Sequence, residues 1–468
     1  MDATLRSRSQ PHTSTVAWRA SIGRLLPWVG ALLVAVVSLW QTDEALHRSY
    51  FHPDESRWIQ RGNYLTELNH PLSSFWSDSY LIRGQPPMGS YITGLGLALQ
   101  GQELGGNNPW NFNYGNDTDI DWNVTNGSMP TTNQLMAARH TSMAIGLALC
   151  LTTFLIVTML SNWIGGTVAG LFLAIHPLNI YLATLAVSDI AFTWIVALSV
   201  LCSILLARKP TWARMIVLGL MLGAGASLKL SPIFVAVGLA AVGVLILAAP
   251  WAAKIRPLRI LWHRFGADTS VVRRIGWMLI ALPIFASAVF AVSYPYLWPD
   301  PIGRTQVLFE FRRDEMANQS RIWGDQAIHN RKEAITRTWN MLENRYSASG
   351  KVMAKLGIRT YPEGAWEAGY DLPFAIAGVL ILIALALRHG FRTPHLLAVL
   401  TLGGESIIIL LGINIDFNRY YLPLAFMFAV GLGVGAGTVI DWGRSLEKRR
   451  THHQSPIENP KMDYRTAD

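Results

Sequence analysis

Charged residues are scarce in this chain of 468 residues, since Asp, Glu, Lys and Arg together make up 15% of it. Soluble domains usually carry about 25% charged residues, so the scarcity argues against a soluble globular protein. Hydrophobic residues reach 51% and occur in blocks of about 20, the length of α-helix that crosses a bilayer. The sequence therefore predicts an all-α polytopic membrane protein.

Cysteine is nearly absent as well. Cys150 and Cys202 are the two cysteines of the chain, and both fall inside predicted spans, which argues against a disulfide or a cysteine metal site. The net charge of +9 comes largely from basic residues in short loops between apolar blocks. That pattern is typical of cytoplasmic loops rather than of a nucleic-acid interface.

The hydropathy pattern predicts about ten spans, within a range of ten to twelve. Basic residues follow the blocks that end near residues 206, 250 and 387, and they recur in the tail from Arg444. With ten spans and a cytoplasmic amino terminus, all four basic segments lie on the cytoplasmic side. The predicted spans are residues 25–40, 139–160, 164–182, 188–206, 214–229, 232–250, 275–296, 372–388, 394–413 and 420–441.

This topology divides the chain into five parts, with two large loops on the external side that carry short surface helices. We expect Trp58, Tyr64, Leu65 and Leu68 to form an apolar face lying on the membrane. Residues 88–99 read as a re-entrant or surface helix, and residues 101–133 as a polar insertion. The parts are a basic cytoplasmic tail (1–24), a transmembrane core (25–296) with the first external loop (41–138), a second external loop (297–371), carboxyl-terminal transmembrane helices (372–441) and a disordered cytoplasmic tail (442–468).

Several charged residues collect at the external ends of spans. Asp54, Glu55 and Arg57 follow the first span, whereas Asp189 and Lys229 stand at the ends of later spans. A single charged side chain at the end of a span usually extends to the membrane–water interface and has no further role. Charged groups within the membrane are costly, however. A group of cations could stabilise a departing phosphate, and a carboxylate could accept a proton from an attacking hydroxyl.

Three motifs in this region resemble those of one family. Pro53-Asp54-Glu55-Ser56-Arg57-Trp58 resembles the acidic motif in the first external loop of GT-C glycosyltransferases that use polyprenyl-phosphate sugars. Protein O-mannosyltransferases and the aminoarabinose transferases of lipid A are the members concerned. Gln85-Pro86-Pro87-Met88-Gly89 is similar to their Lys/His-Pro-Pro-Leu/Met-Gly motif, and Arg139-His140-Thr141-Ser142 to their Arg-x-x-Ser.

Three further positions extend the resemblance. Asp189, Lys229 and Arg419-Tyr420-Tyr421-Leu422-Pro423 fall where that family has an Asp, a Lys and an Arg-Tyr-x-x-Pro. The order and spacing match over most of residues 25–440, except for the insertion at 101–133 and for residues 305–370 of the second loop.

The resemblance implies roles for these residues. Asp54 would be the general base or the carboxylate that orients the acceptor, and Glu55 would support it in catalysis by hydrogen bonding or by shaping the loop. Asp189 and Gln85 would bind the acceptor or the sugar. The residues that would hold the donor phosphate are Arg57, Lys229, Arg83, Arg419 and Tyr420.

One position departs from the family pattern. Gln85 stands where the family has Lys or His, and a neutral amide cannot supply that charge to a leaving phosphate. Either Arg83 takes over, or Arg57 and Lys229 hold the phosphate, or the chain is an inactive relative.

The activity implied is an inverting transfer of a sugar from a polyprenyl-phosphate donor to a protein, lipid or glycan acceptor. It would take place on the external face of the plasma (inner) membrane, with the bilayer as the other partner and no nucleic acid. No cofactor follows with certainty, but a divalent metal ion stays open, with Asp54 and Asp189 as its ligands. The alternatives are a transporter or lipid flippase, against which the lack of a clear internal repeat argues, and a non-enzymatic scaffold.

Overall fold

The computed structural model describes residues 13–112, 120–252, 269–357 and 369–453. Within these ranges the regular secondary structure is helical, apart from an isolated bridge between Ala327 and Ile415. The α-helices of the described part are α1 (Thr13–Leu46), α2 (Pro53–Gln60), α3 (Tyr64–Glu67), α4 (Tyr80–Gly84), α5 (Met88–Leu99), α6 (Ile120–Thr125), α7 (Thr132–Leu160), α8 (Trp163–Ile175), α9 (Pro177–Ala183), α10 (Ser188–Arg208), α11 (Trp212–Ala226), α12 (Ser231–Ala252), α13 (Ser270–Val292), α14 (Pro301–Ile322), α15 (Arg331–Trp339), α16 (Ala348–Lys355), α17 (Asp371–His389), α18 (His395–Gly412) and α19 (Leu422–His453).

Eight helices of the described residues are long and apolar enough to cross a membrane: α1, α7, α10, α12, α13, α17, α18 and α19. Helices α8 and α9 form a further span if they are taken together, although they bend by 63°. The bend falls at Pro177, which lacks the N–H that would continue the helix. The short apolar helix α11 coincides with the remaining predicted span. The predicted polytopic all-α fold is therefore confirmed.

The two terminal helices are longer than the apolar segments that predicted them. Helix α1 begins at Thr13, inside the predicted polar tail, and α19 continues to His453. Arg, Lys and Glu have high helix propensity, so a helix can continue past the apolar segment. Residues 1–12 and 454–468 of the predicted tails lie outside the described residues.

The core of the bundle has two parts. Helix α8 packs against α1, α7 and α19, while α10 packs against α7 and α11. The second part lies between α11, α12 and α13. Both cysteines are buried and free, as expected for residues inside spans.

The first long loop packs into the protein, so the predicted apolar face on the membrane is wrong for Trp58 and Tyr64, whereas Leu68 is exposed. Trp58 and Tyr64 are buried. The Tyr64 ring contacts Phe75 and Trp76 edge to face, with centroids 5.0 and 5.5 Å apart. Aromatic residues of the loop and of α5 share a small core with Phe290, Tyr294 and Tyr296, which connects them to the end of α13.

Close backbone contact between α5 and the turn after α2 requires glycine. A Cβ atom at Gly94 would collide with the carbonyl oxygen of Gly62, so we expect Gly94→Ala to destabilise the protein by about 1–3 kcal/mol, as overpacking does. Thermal unfolding of the purified protein in detergent would measure the effect. Gly238→Ala is the matched control, since nothing lies within 4 Å of its added Cβ. Equal stability of the two variants would contradict the proposed contact.

Candidate active site

A cavity of about 540 Å³ opens where the first long loop meets the ends of several spans. Its walls come from α2, from the turn between α4 and α5, from α10, and from the link between α11 and α12. Helix α14, the end of α18 and residues 419–423 complete it. The cavity therefore joins both long loops to the bundle.

The start of α2 fixes Asp54 at the cavity wall. Pro53 occupies the first turn, where its missing N–H has no cost. His52 Nδ1 accepts from the Asp54 N–H at 3.1 Å, and Glu55 Oε2 accepts from the His52 N–H at 2.9 Å. This capping box holds the carboxylate of Asp54 at the positive end of the helix.

Asp54 forms an ion pair with Arg419, although 365 positions separate them in the chain. Its side chain is 20% exposed. Burial alone would raise the pKa of Asp54, but Arg419, His52 and Arg57 outweigh it and hold that pKa below its ordinary value. Asp54 is therefore ionised at neutral pH and can accept a hydrogen bond.

Glu55 points away from the cavity into the protein. Its oxygens accept from Arg139 Nε at 2.8 Å and Nη2 at 2.7 Å, and both side chains are buried, at 0% and 4% exposure. Glu55 also accepts from the Ala186 N–H at 2.9 Å. These bonds connect α2 to α7 and to the segment before α10, so Glu55 is a positioning residue rather than one that contacts the reacting atoms.

Asp189 and Lys229 form the second ion pair of the cavity. Lys229 Nζ lies 2.5 Å from Asp189 Oδ1. The ammonium group also lies 5.0 Å from the ring centroids of both Phe192 and Tyr420, within the range of a cation–π contact. Tyr420 itself lines the cavity.

Arg57 is held by the insertion that follows α5. Its Nε donates to the Trp110 carbonyl oxygen at 2.9 Å, and its guanidinium lies 4.3 Å from the Phe112 ring centroid. Ser56 and Asn107 bond the Ser128 carbonyl oxygen nearby. The insertion, predicted only as a polar segment, thus forms the wall beside Arg57.

The side chains of Arg83 and Gln85 lie in different places in the structure. Gln85 lines the cavity. The Arg83 Nε lies 2.9 Å from Asp78 Oδ1, and its guanidinium lies against Phe311 in a separate shallow depression. Arg83 is therefore absent from the described lining, and the geometry does not favour its predicted contact with the donor phosphate.

Helix α14 of the second loop supplies residues that the sequence interpretation missed. Phe309, Arg312, Met316 and Gln319 line the cavity. They recur at spacings of three and four residues, which places them on one helical face. That periodicity was the signal available in the sequence, but the resemblance did not extend to residues 305–370.

Cations outnumber carboxylates in the described lining. The basic residues are Arg57, Arg61, Lys229, Arg312, Arg313 and Arg419, and the acidic ones are Asp54, Asp189 and Glu315. Beside them lies an apolar wall formed by Phe192, Phe234, Phe309, Met316, Ile408 and Ile409. The cavity therefore suits a ligand that joins an anionic group to an apolar chain.

Asp54 and Asp189 of the cavity are the candidate ligands for a metal ion. Within the described ranges, no group of three or more His, Cys, Asp or Glu side chains is placed to hold a metal ion. Asp54 and Asp189, the two ligands suggested by the sequence, are each paired with a cation. This donor set does not fit a metal ion in the present arrangement, so we derive no step through one.

The comparisons with known proteins agree with this geometry. The family model described as dolichyl-phosphate-mannose-protein mannosyltransferase matches residues 67–293, a range that contains Gln85, Arg139, Asp189 and Lys229. No curated protein sequence matches the chain significantly.

Two solved structures are similar to this chain to different degrees. The oligosaccharyltransferase AglB from Archaeoglobus fulgidus, in complex with an inhibitory peptide and a dolichol-phosphate, is similar with a TM-score of 0.50 and 12% identity over 94% of this chain and 53% of that one. ArnT from Cupriavidus metallidurans bound to undecaprenyl phosphate gives a TM-score of 0.43 and 17% identity over 92% of this chain and 64% of that one. The chain spans about half the length of the archaeal enzyme.

The chain is a multi-pass membrane protein with a cavity at one end of its helical bundle. The family match confirms the resemblance drawn from the sequence to glycosyltransferases that use polyprenyl-phosphate sugars. The matched family and AglB are transferases by name, and neither supports the transporter alternative.

Proposed function

We propose that this chain transfers a sugar from a polyprenyl-phosphate donor to a protein, lipid or glycan acceptor, with inversion at the anomeric carbon. The observation that carries the proposal is the cavity itself. Its lining contains an ionised carboxylate, more cations than carboxylates, and several large apolar side chains. AglB, whose fold is similar, was solved with a dolichol-phosphate.

The reaction is a single displacement. The acceptor oxygen forms a bond to the anomeric carbon while the bond from that carbon to the phosphate oxygen breaks. The acceptor proton moves to Asp54, and the electron pair of the broken bond stays on the lipid phosphate. Cations of the cavity stabilise the charge that develops on that phosphate.

The two ion pairs indicate how the remaining residues act. Arg419 keeps Asp54 ionised, and Lys229 lies against Asp189 at the edge of the same cavity. A donor phosphate that approaches Lys229 competes with Asp189 for it, which frees the Asp189 carboxylate for a hydroxyl of the sugar or acceptor. Arg57 and Gln85 line the intervening wall.

The proposed location is the plasma (inner) membrane, with a cytoplasmic amino terminus and the active site on the external face. Two observations support it. The basic links after residues 206 and 387 lie at the opposite ends of α10 and α17 from the cavity side of the bundle, as the positive-inside rule expects. Both long loops contribute to the cavity and therefore share one side.

Sugar transfer by the purified protein tests the proposed function. A panel of polyprenyl-phosphate sugars would be incubated with candidate acceptors, and released polyprenyl phosphate and glycosylated product would be read by mass spectrometry. Turnover of at least one donor supports the proposal. Failure of every donor both to bind and to react would overturn it.

The pH profile should depend on Arg419. Asp54 is active when ionised, and its lowered pKa means that activity is lost only as the pH falls through that lowered value. Arg419→Gln removes the cation that lowers the pKa of Asp54 most, and burial then raises this pKa. The acid limb of the pH profile of kcat/KM therefore moves to higher pH. Arg321→Gln, an exposed change on α14, is the control. An acid limb that stays in place in Arg419→Gln would show that Asp54 is not the titrating group.

A further inference from the structure

Gln85 is neutral, so it cannot supply the positive charge that the family has at this position. The resemblance places Lys or His at this position, next to the donor phosphate. Arg83, the neighbouring candidate, is paired with Asp78 outside the cavity. Arg57 and Lys229 are candidates to supply the missing charge, and so is any further cation that lies close to Gln85.

Arg61 is a buried cation that lines the cavity at this point. It is 5% exposed, and its donors go to neutral groups: Ser90 Oγ at 3.1 Å, the Leu81 carbonyl oxygen at 3.3 Å and the Gln85 carbonyl oxygen at 2.6 Å. In the described part of the chain, no carboxylate lies within ion-pair distance of Arg61. A buried charge without a counterion is costly, and an anion in the cavity would reduce that cost.

Arg312 reaches the same turn from the second external loop. Its Nη1 donates to the Gly84 carbonyl oxygen at 2.7 Å. A guanidinium group has five N–H donors, so most of those of Arg312 are available to a ligand. Arg312 lines the cavity, and like Arg61 it has no ion-pair partner among the described residues.

The two arginines therefore meet at one short piece of backbone. Gly84 and Gln85 are adjacent, and consecutive Cα atoms are about 3.8 Å apart, so the two guanidinium groups bond to the carbonyl oxygens of neighbouring residues. Asp54 and Asp189 are engaged by Arg419 and Lys229. Glu315, the third carboxylate of the described lining, is hydrogen-bonded by Tyr80 and Gln319.

We propose that Arg61 and Arg312 bind the phosphate of the lipid-linked donor and replace the basic side chain that Gln85 lacks. A planar guanidinium can contact a phosphate through two parallel N–H bonds, so two such groups offer more contacts than a single lysine. The inference rests on the proposed function, since it names the phosphate site of that reaction.

Binding of polyprenyl phosphate to the full-length protein in detergent tests this site without requiring turnover. We expect Arg312→Gln to weaken binding about 10- to 100-fold, the usual effect of losing a charged hydrogen bond. Neutral polyprenol, which lacks the phosphate, should bind equally to wild type and variant. Arg321→Gln, on the same helix and exposed, is the matched control and should bind polyprenyl phosphate as wild type does.

A second substitution separates phosphate binding from a structural role. Gln85→Lys restores the family's basic residue, so adding it to Arg312→Gln should recover most of the lost affinity. Recovery would not follow if Arg312 only held the turn at Gly84. This route also avoids dependence on Arg61 variants, which remove a buried group and can fail to fold.

The outcomes distinguish the two proposals. Unchanged affinity in Arg312→Gln, or no recovery with Gln85→Lys, would overturn the phosphate site and leave the proposed transferase standing. Inorganic phosphate that competes with polyprenyl phosphate at equal concentration would overturn the assignment to a lipid phosphate. A wild-type protein that binds no polyprenyl phosphate would overturn both proposals.

Discussion

Replacing Asp54 by asparagine is expected to lower sugar transfer about 100- to 10,000-fold, the range that a general base contributes. Asparagine has nearly the same size, but its amide cannot take the acceptor proton. Its neutral side chain also leaves Arg419 without the carboxylate that it contacts. Initial rates with the preferred donor, measured at a fixed concentration of folded protein, would give the effect.

The donor should still bind to Asp54→Asn, because the cations proposed to hold its phosphate remain in place. Asp78→Asn is a matched control, since Asp78 also pairs with an arginine but outside the cavity. It should transfer sugar at the wild-type rate. A folded Asp54→Asn protein that retains transfer within about tenfold of wild type would exclude Asp54 as the base.

The fold was largely predictable because membrane spans leave a strong local signal. A run of apolar residues long enough to cross a bilayer is visible without any knowledge of its neighbours, and all ten predicted runs coincide with apolar helices. The missed features depend on other properties. Pro177 bends one span, and α19 extends to His453 because its polar residues favour helix.

The site was predictable only in part, because its contacts connect distant parts of the chain. Sequence reasoning placed Asp54, Asp189, Lys229 and Arg419 on one side of the membrane, but it could not show which pairs form. Asp54 pairs with Arg419 across 365 positions, whereas Lys229 pairs with Asp189. Such pairing depends on how the helices pack, which hydropathy does not specify.

The walls of the cavity were the least predictable part. They include the insertion that holds Arg57 and the face of α14 that carries Arg312, and neither segment has a counterpart in the motifs that carried the resemblance. Arg61 was missed for a different reason. It lies within a helical turn after the acidic motif and resembles an ordinary loop arginine until its burial is known.

The buried pair of Glu55 and Arg139 should dominate the stability of the first loop. In Arg139→Met the carboxylate of Glu55 stays buried without its cation, and we expect a loss of about 3–5 kcal/mol in the free energy of unfolding. Unfolding in detergent, followed by circular dichroism during titration with sodium dodecyl sulfate, would measure it. The exposed pair of Arg48 and Glu44 provides the control, because Arg48 is 77% exposed and Arg48→Met should change little.

The double variant tests whether the cost comes from the unpaired charge. Glu55→Gln combined with Arg139→Met removes both charges, so the loss should be smaller than in Arg139→Met alone. Because Glu55 lies outside the cavity, the folded fraction of Glu55→Gln should still transfer sugar. If Glu55→Gln instead keeps full stability and loses sugar transfer, Glu55 takes part in the reaction directly. Its assignment as a residue that only positions Asp54 would then be wrong.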